Sequence, residues 1–266
     1  MHRHHSSVLF ALILLLGSFP KCRVECQAVA AVGQDTALSP DMAEVEKRIV
    51  VETNQFRSKV KRGQVTVNAE LTRAARYLAD YMAKSDKYSH TADGKQPGER
   101  AKEHGYDYCV IAENIAWQLS TGGFTSQQLA DSLVTGWKNS PEHRKNMLDA
   151  DVLDIGVAVT HSDKTGRYYA VQEFGRPRSK AITFQISNES GGTVRYTVDD
   201  QPFTLEARYK RTHEACRPPK LVIVAPSAAE NSTKGGEVFH PEDGARYVIR
   251  KRESGGYVVE APSSHR

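Results

Sequence analysis

The chain has no apolar run long enough to cross a bilayer. Its longest, residues 8–16, is extended only slightly by residues 17–19, whereas a hydrocarbon core requires roughly 20 helical residues. An integral membrane span is therefore not expected. A strong charge of one sign is also missing. Lys and Arg total 36 against 32 Asp and Glu, a formal net of +4, and residues 1–30 supply part of that excess through Arg3, Lys21 and Arg23 against Glu25. No broad cationic field remains to hold a phosphate backbone, which excludes nucleic acid as an expected partner. Nucleophile motifs are absent as well: there is no Gly-x-Ser-x-Gly elbow and no His-Glu-x-x-His pair. Cysteine is scarce, with four in all.

What is present begins with an export signal. His2, Arg3, His4 and His5 precede the apolar run, and Ala28-Val29-Ala30 supplies small residues for cleavage. Residues 1–30 are read as a secretory signal peptide, followed by a leader over 31–42, and the protein is expected to be secreted, into the extracellular space or a periplasm. Only Cys109 and Cys216 then remain. In an oxidising compartment they are predicted to pair, the alternative being two separately buried thiols.

The patterning changes character near residue 180. Before it, helical periodicity dominates. Ser39-Pro40 is taken as the start of a first helix running through Val45, Ile49, Phe56 and Val60 to Gly63, with Arg57, Lys59, Lys61 and Arg62 complementing its C-terminal dipole. A second helix carries Leu71, Leu78 and Met82, and a third spans 97–104. Thr125 and Gln128 form a capping box for a helix that buries Leu129, Leu133 and Trp137, and Ser140-Pro141 opens another. Residues 155–159 and 168–174 read as a β-hairpin. Trp117 and Trp137 are both expected in the core. Beyond 180, short alternating runs at intervals near ten residues predict a small β-sandwich over 180–262, with an exposed loop at 225–236. Asn188 and Asn231 each stand in an Asn-x-Ser/Thr sequon.

The most informative text is an ordered series of motifs. It comprises Asn54 with Arg57, Ser89-His90-Thr91, Gly98-Glu99-Arg100-Ala101, Gly105-Tyr106, Ala112-Glu113-Asn114-Ile115-Ala116-Trp117, Trp137 followed by Ser140-Pro141-Glu142-His143-Arg144-Lys145-Asn146, Ile155-Gly156-Val157 and Val171-Gln172-Glu173-Phe174-Gly175. This series resembles the CAP family, the cysteine-rich secretory, antigen 5 and pathogenesis-related proteins that carry the SCP domain, in its bacterial secreted branch. The resemblance covers about residues 43–178. It implies an α+β fold, a three-layer α-β-α sandwich, whose cleft gathers two histidines, His90 and His143, and two acids. Glu113 matches the first acid. The second is not matched, because Lys138-Asn139-Ser140 follows Trp137 where relatives place a glutamate; Glu142, nearby, sits at the start of its helix, where it complements the dipole.

Two chemistries suit these groups. As a polar cleft, His90, Glu113 and His143 would bind a lipid, glycan or envelope component without catalysis. As a metal site, His90 and His143 would hold zinc, with Glu113 as general base toward bound water in a hydrolase. The binding reading leads, with zinc as the cofactor of the alternative.

Overall fold

The computed structural model describes residues 38–224, 236–254 and 256–262. The proposed signal peptide, residues 31–37 of the leader, most of the loop at 225–236 and Asn231 lie outside the described residues.

The first helix, α1 (Met42–Lys59), starts later than Ser39-Pro40 suggested. Asp41 is its N-cap, its carboxylate accepting from the amides of Ala43 (2.9 Å) and Glu44 (3.3 Å). An ionised cap both satisfies orphan amides and faces the positive end of the helix dipole, advantages that Ser39 lacks. The helix also ends before Gly63: Val60 is its C-cap. The carbonyl of Gly63 instead accepts from Arg57 Nε at 2.6 Å. Arg57 therefore does more than face a dipole. It is buried and donates as well to the carbonyls of Met147 (2.8 Å) and Asp149 (2.9 Å).

A two-residue strand, β1 (Thr66–Val67), leads into α2 (Ala69–Ser85) and α3 (Pro97–Glu103), the latter one residue shorter than expected. Then follow β2 (Tyr108–Gln118), α4 (Ser126–Asn139) and α5 (Pro141–Met147). The capping box of α4 forms as the sequence implies, Thr125 Oγ1 and Gln128 Oε1 exchanging bonds with each other's amides. The hairpin β3 (Asp154–His161) and β4 (Tyr168–Pro177) completes a sheet of order β1-β3-β4-β2.

Helices cover both faces of this sheet, giving three layers. Val45 and Ile49 of α1 with Leu129, Leu133 and Trp137 of α4 pack on one face. Ala75, Leu78 and Met82 of α2 pack on the other. β4, flanked on both edges and covered on both faces, is buried over its first eight residues, which is why its sequence does not alternate. Gly156 permits the close approach of α2: a Cβ there would lie 2.2 Å from the Leu71 carbonyl carbon.

After a 3-10 turn at Arg178–Lys180 the chain is all β. Strands β5 (Ile182–Glu189), β6 (Val194–Val198), β7 (Gln201–Leu205), β8 (Lys210–Ala215), β9 (Leu221–Val224), β10 (Glu237–Phe239), β11 (Arg246–Lys251) and β12 (Tyr257–Glu260) build two sheets, β10-β9-β6-β7 and β12-β11-β5-β8. A second core, around Phe184, Ile186, Tyr196, Leu221 and Ile249, draws on both sheets, as a sandwich requires. The sequon at Asn188 is closed to modification: its side chain is buried and donates to the carbonyls of Gly192 and Leu205, both at 2.7 Å.

Cys109 and Cys216 are joined, with Cα atoms 5.1 Å apart, so the predicted pairing forms across the two parts of the chain. Of the two tryptophans only Trp137 is core, at 1% exposure. Trp117 is 40% exposed, contrary to expectation. It lies near the end of an edge strand, and the guanidinium of Arg167 rests over its ring at 4.5 Å.

Candidate functional site

The site is built on the free edge of β2. Successive side chains of a strand point to opposite faces, so Glu113, Ile115 and Trp117 share the face covered by α2 and the segment that follows it, while Asn114 faces α1, α4 and α5. The edge itself is not left bare. The carbonyl of Ile115 accepts from Tyr88 Oη and Trp137 Nε1, each at 3.1 Å. That of Glu113 accepts from Asn146 Nδ2 at 3.2 Å. Side chains thus seal carbonyls that would otherwise invite a further strand.

His90 lies between α2 and α3, and its Nδ1 meets Glu113 Oε1 at 2.7 Å. The other carboxylate oxygen, Oε2, accepts from Arg100 Nη2 at 2.6 Å. Arg100, on α3, is completely buried. It also bonds Asp93 Oδ1 (2.9 Å), the Lys95 carbonyl (2.8 Å) and the His90 carbonyl (2.8 Å). One guanidinium therefore fixes both the acid and the backbone of the histidine that the acid orients.

His143, on α5, is half-buried, and its pKa is lowered, first by burial and then by the nearness of His90. Its backbone carbonyl accepts from Asn114 Nδ2 at 3.1 Å, and Asn114 Oδ1 accepts from Asn146 Nδ2 at 2.9 Å. The three residues singled out in the sequence are thus gathered at one edge: His90 touches Glu113, and His143 is close enough to His90 to disfavour a second positive charge. Glu142 is exposed in the first turn of α5 and joins none of these contacts.

A second acid is present, at a position the sequence reading did not consider. Glu173 of β4 stands directly opposite Glu113 in the antiparallel register and is fully buried. Neither of its oxygens meets a donor among the described residues. Two facing carboxyls can bond only if one keeps its proton. Burial and the Glu113 charge push the Glu173 pKa well above the ordinary 4.5. Glu173 accordingly holds its proton to a higher pH than an exposed glutamate does.

The geometry bears on the zinc alternative. Among the described residues no group of three or more His, Cys, Asp or Glu side chains is arranged to hold a metal ion. Both Glu113 oxygens are committed, and His90 Nδ1 is committed to one of them. What remains is His90 Nε2 and the His143 ring, short of the three protein ligands of a catalytic zinc site. The residues present do not fit that metal.

Arg100, Asp93, Glu173 and Asn146 were missed as site residues. For Glu173 a signal existed. Gln172-Glu173 interrupts an otherwise apolar central strand, and two consecutive polar residues there must point to opposite faces, each into a covered layer. Gln172 does so toward α1, donating to Thr53 Oγ1 at 2.9 Å.

Residues 50–174 match the model of the Cysteine-rich secretory protein family, CAP. A curated relative, the protein YkwD of Bacillus subtilis (strain 168), is 27% identical over 128 residues, 48% of this chain and 47% of its own length, so the chain spans about half of the relative it matches. Solved structures that resemble it include an outer surface protein of Borrelia burgdorferi, 20% identical with a TM-score of 0.46 over 52% of this chain and 96% of that one. An extracellular SCP-domain protein of Bacillus anthracis str. Ames is 24% identical with a TM-score of 0.44, over 51% and 41% respectively.

Proposed function

We propose that this chain, whose residues 50–174 are a CAP domain, is a secreted, non-enzymatic binding protein. Its cleft at His90, Glu113 and His143 takes a lipid, glycan or envelope component. The observation that carries this reading is the double commitment of Glu113. A carboxylate clamped by Arg100 and bonded to His90 orients an imidazole, and each of its oxygens already accepts a bond. With Nδ1 turned inward, His90 presents Nε2 outward from a side chain 47% exposed. A fixed polar group at a solvent-facing edge suits ligand recognition. The disulfide and the signal-like N-terminus support export, and no helix among the described residues is long and apolar enough to cross a membrane.

The competing hydrolase reading is separated by assay. Mature protein saturated with zinc and offered peptide and ester substrates is expected to show no turnover above the His90→Ala/His143→Ala variant. Metal-dependent turnover that Glu113→Gln abolishes would overturn the binding reading.

A further inference from the structure

Two consecutive residues of the C-terminal part hold the two elements that carry the site. Cys216 is bonded to Cys109 on β2, four positions before Glu113. Arg217 is bidentate to Asp149, Nη1 to Oδ1 at 2.9 Å and Nη2 to Oδ2 at 2.7 Å, and Nη1 also meets Asp151 Oδ2 at 2.5 Å. Asp149 and Asp151 follow directly on α5, the helix of His143 and Asn146. We infer that the Cys216-Arg217 pair sets the spacing between β2 and α5, so that Arg217 is a positioning residue for His143 and the β-sandwich is mechanically coupled to the site.

The contacts around α5 make this coupling effective. Arg57 holds the carbonyls of Met147 and Asp149, which fixes the helix end relative to α1. Arg217 grips the same residue, Asp149, through its side chain. The Asp149 and Asp151 side chains are only 17% and 21% exposed, although Arg217 itself is half-exposed, so the tie owes its specificity to the two-point fork geometry. The helix reaches β2 through Asn146, bonded to the Glu113 carbonyl and to Asn114, and through the His143 carbonyl. A shift of α5 against β2 must break these bonds, which lie within the site. On the β2 side the half-exposed Arg178 adds a lighter tie, from Glu214 of β8 to the Tyr108 carbonyl.

The consequence for ligand binding rests on the reading of this edge as a binding site; the coupling itself does not, and its test uses no ligand. The full exported chain is followed by hydrogen exchange and by diethyl pyrocarbonate labelling of its histidines. Arg217→Ala is expected to speed exchange over residues 141–149 and labelling of His143 by about tenfold, leaving α2 unchanged. Arg217→Lys should fall between, since an ammonium cannot reproduce the fork. Wild-type protein treated with dithiothreitol, which reduces the disulfide to two thiols as the reagent cyclises, should loosen residues 109–115 and 141–149 together. Arg250→Ala, which removes ion pairs to Glu189 and Glu260 within the sandwich, should change none of this. Unaltered rates in folded Arg217→Ala, or acceleration spread equally over α2 and α5, would overturn the proposal. If Arg217→Ala does not fold, Arg217→Lys and the reduced wild type decide the matter by the same criteria. A failure to find any ligand would sink the binding reading while leaving the coupling intact.

Discussion

Arg100→Ala is expected to destabilise the protein by about 3–5 kcal/mol, the cost of breaking a buried ion pair from one side. Asp93, Glu113 and Arg100 all have side chains at or within 1% of complete burial. Removing the guanidinium would leave two carboxylates inside the fold with Glu173 opposite one of them. The loss is mostly the penalty for those uncompensated charges. The variant also deletes donors to the Lys95 and His90 carbonyls, so the segment between α2 and α3 should loosen and His90 should lose its orientation. Arg100→Lys should recover only a fraction, because one ammonium cannot serve four acceptors in the geometry of a planar fork. Denaturant midpoints, at constant slope, give the measurement. A change below about 1 kcal/mol, the range of an exposed ion pair, would show that the cluster is open to water and that Glu113 is not clamped.

Glu173→Gln is expected to stabilise the protein at neutral and alkaline pH while doing little near pH 4. In the fold Glu173 retains a proton that the unfolded chain releases above its ordinary pKa of 4.5. Its contribution to stability is therefore complete below that pH and is lost as the pH rises toward the raised folded value. Glutamine cannot ionise, so the variant escapes the loss. A gain of about 1 kcal/mol would raise Tm by about 2–4 °C for a chain of this size. Thermal melts of both proteins from pH 4 to pH 9 should diverge as the pH climbs. Parallel curves, or a variant less stable at pH 8, would mean that Glu173 is ionised in the fold.

Much of this was legible in the sequence. The helix-to-strand order, the Thr125–Gln128 box and the hairpin are local, set by caps and periodicity that neighbouring residues disclose. Pairing of Cys109 with Cys216 followed from compartment and parity. His90, Glu113 and His143 were marked by ordered motifs. What escaped was decided by distant neighbours. Trp117 reads as core because nothing local shows that β2 is the sheet edge. Arg57 reads as a cation complementing its helix dipole and Arg100 as one letter of a motif, since burial of a guanidinium depends on acceptors contributed by segments far along the chain. Glu173 acquires its meaning only from the register that places it against Glu113. The cap lies at Asp41, two residues beyond Ser39, which was not legible because Ser39-Pro40 is itself a local start signal and nothing nearby in the sequence ranks it below Asp41.

Native mass spectrometry of the exported protein, purified under mild conditions and exposed to an envelope extract, tests the binding account most directly. The account predicts a defined added mass on the wild type that disappears in the His90→Ala/His143→Ala variant while its Tm is maintained. No added mass on the wild type, or the same mass retained by the double variant, would contradict it.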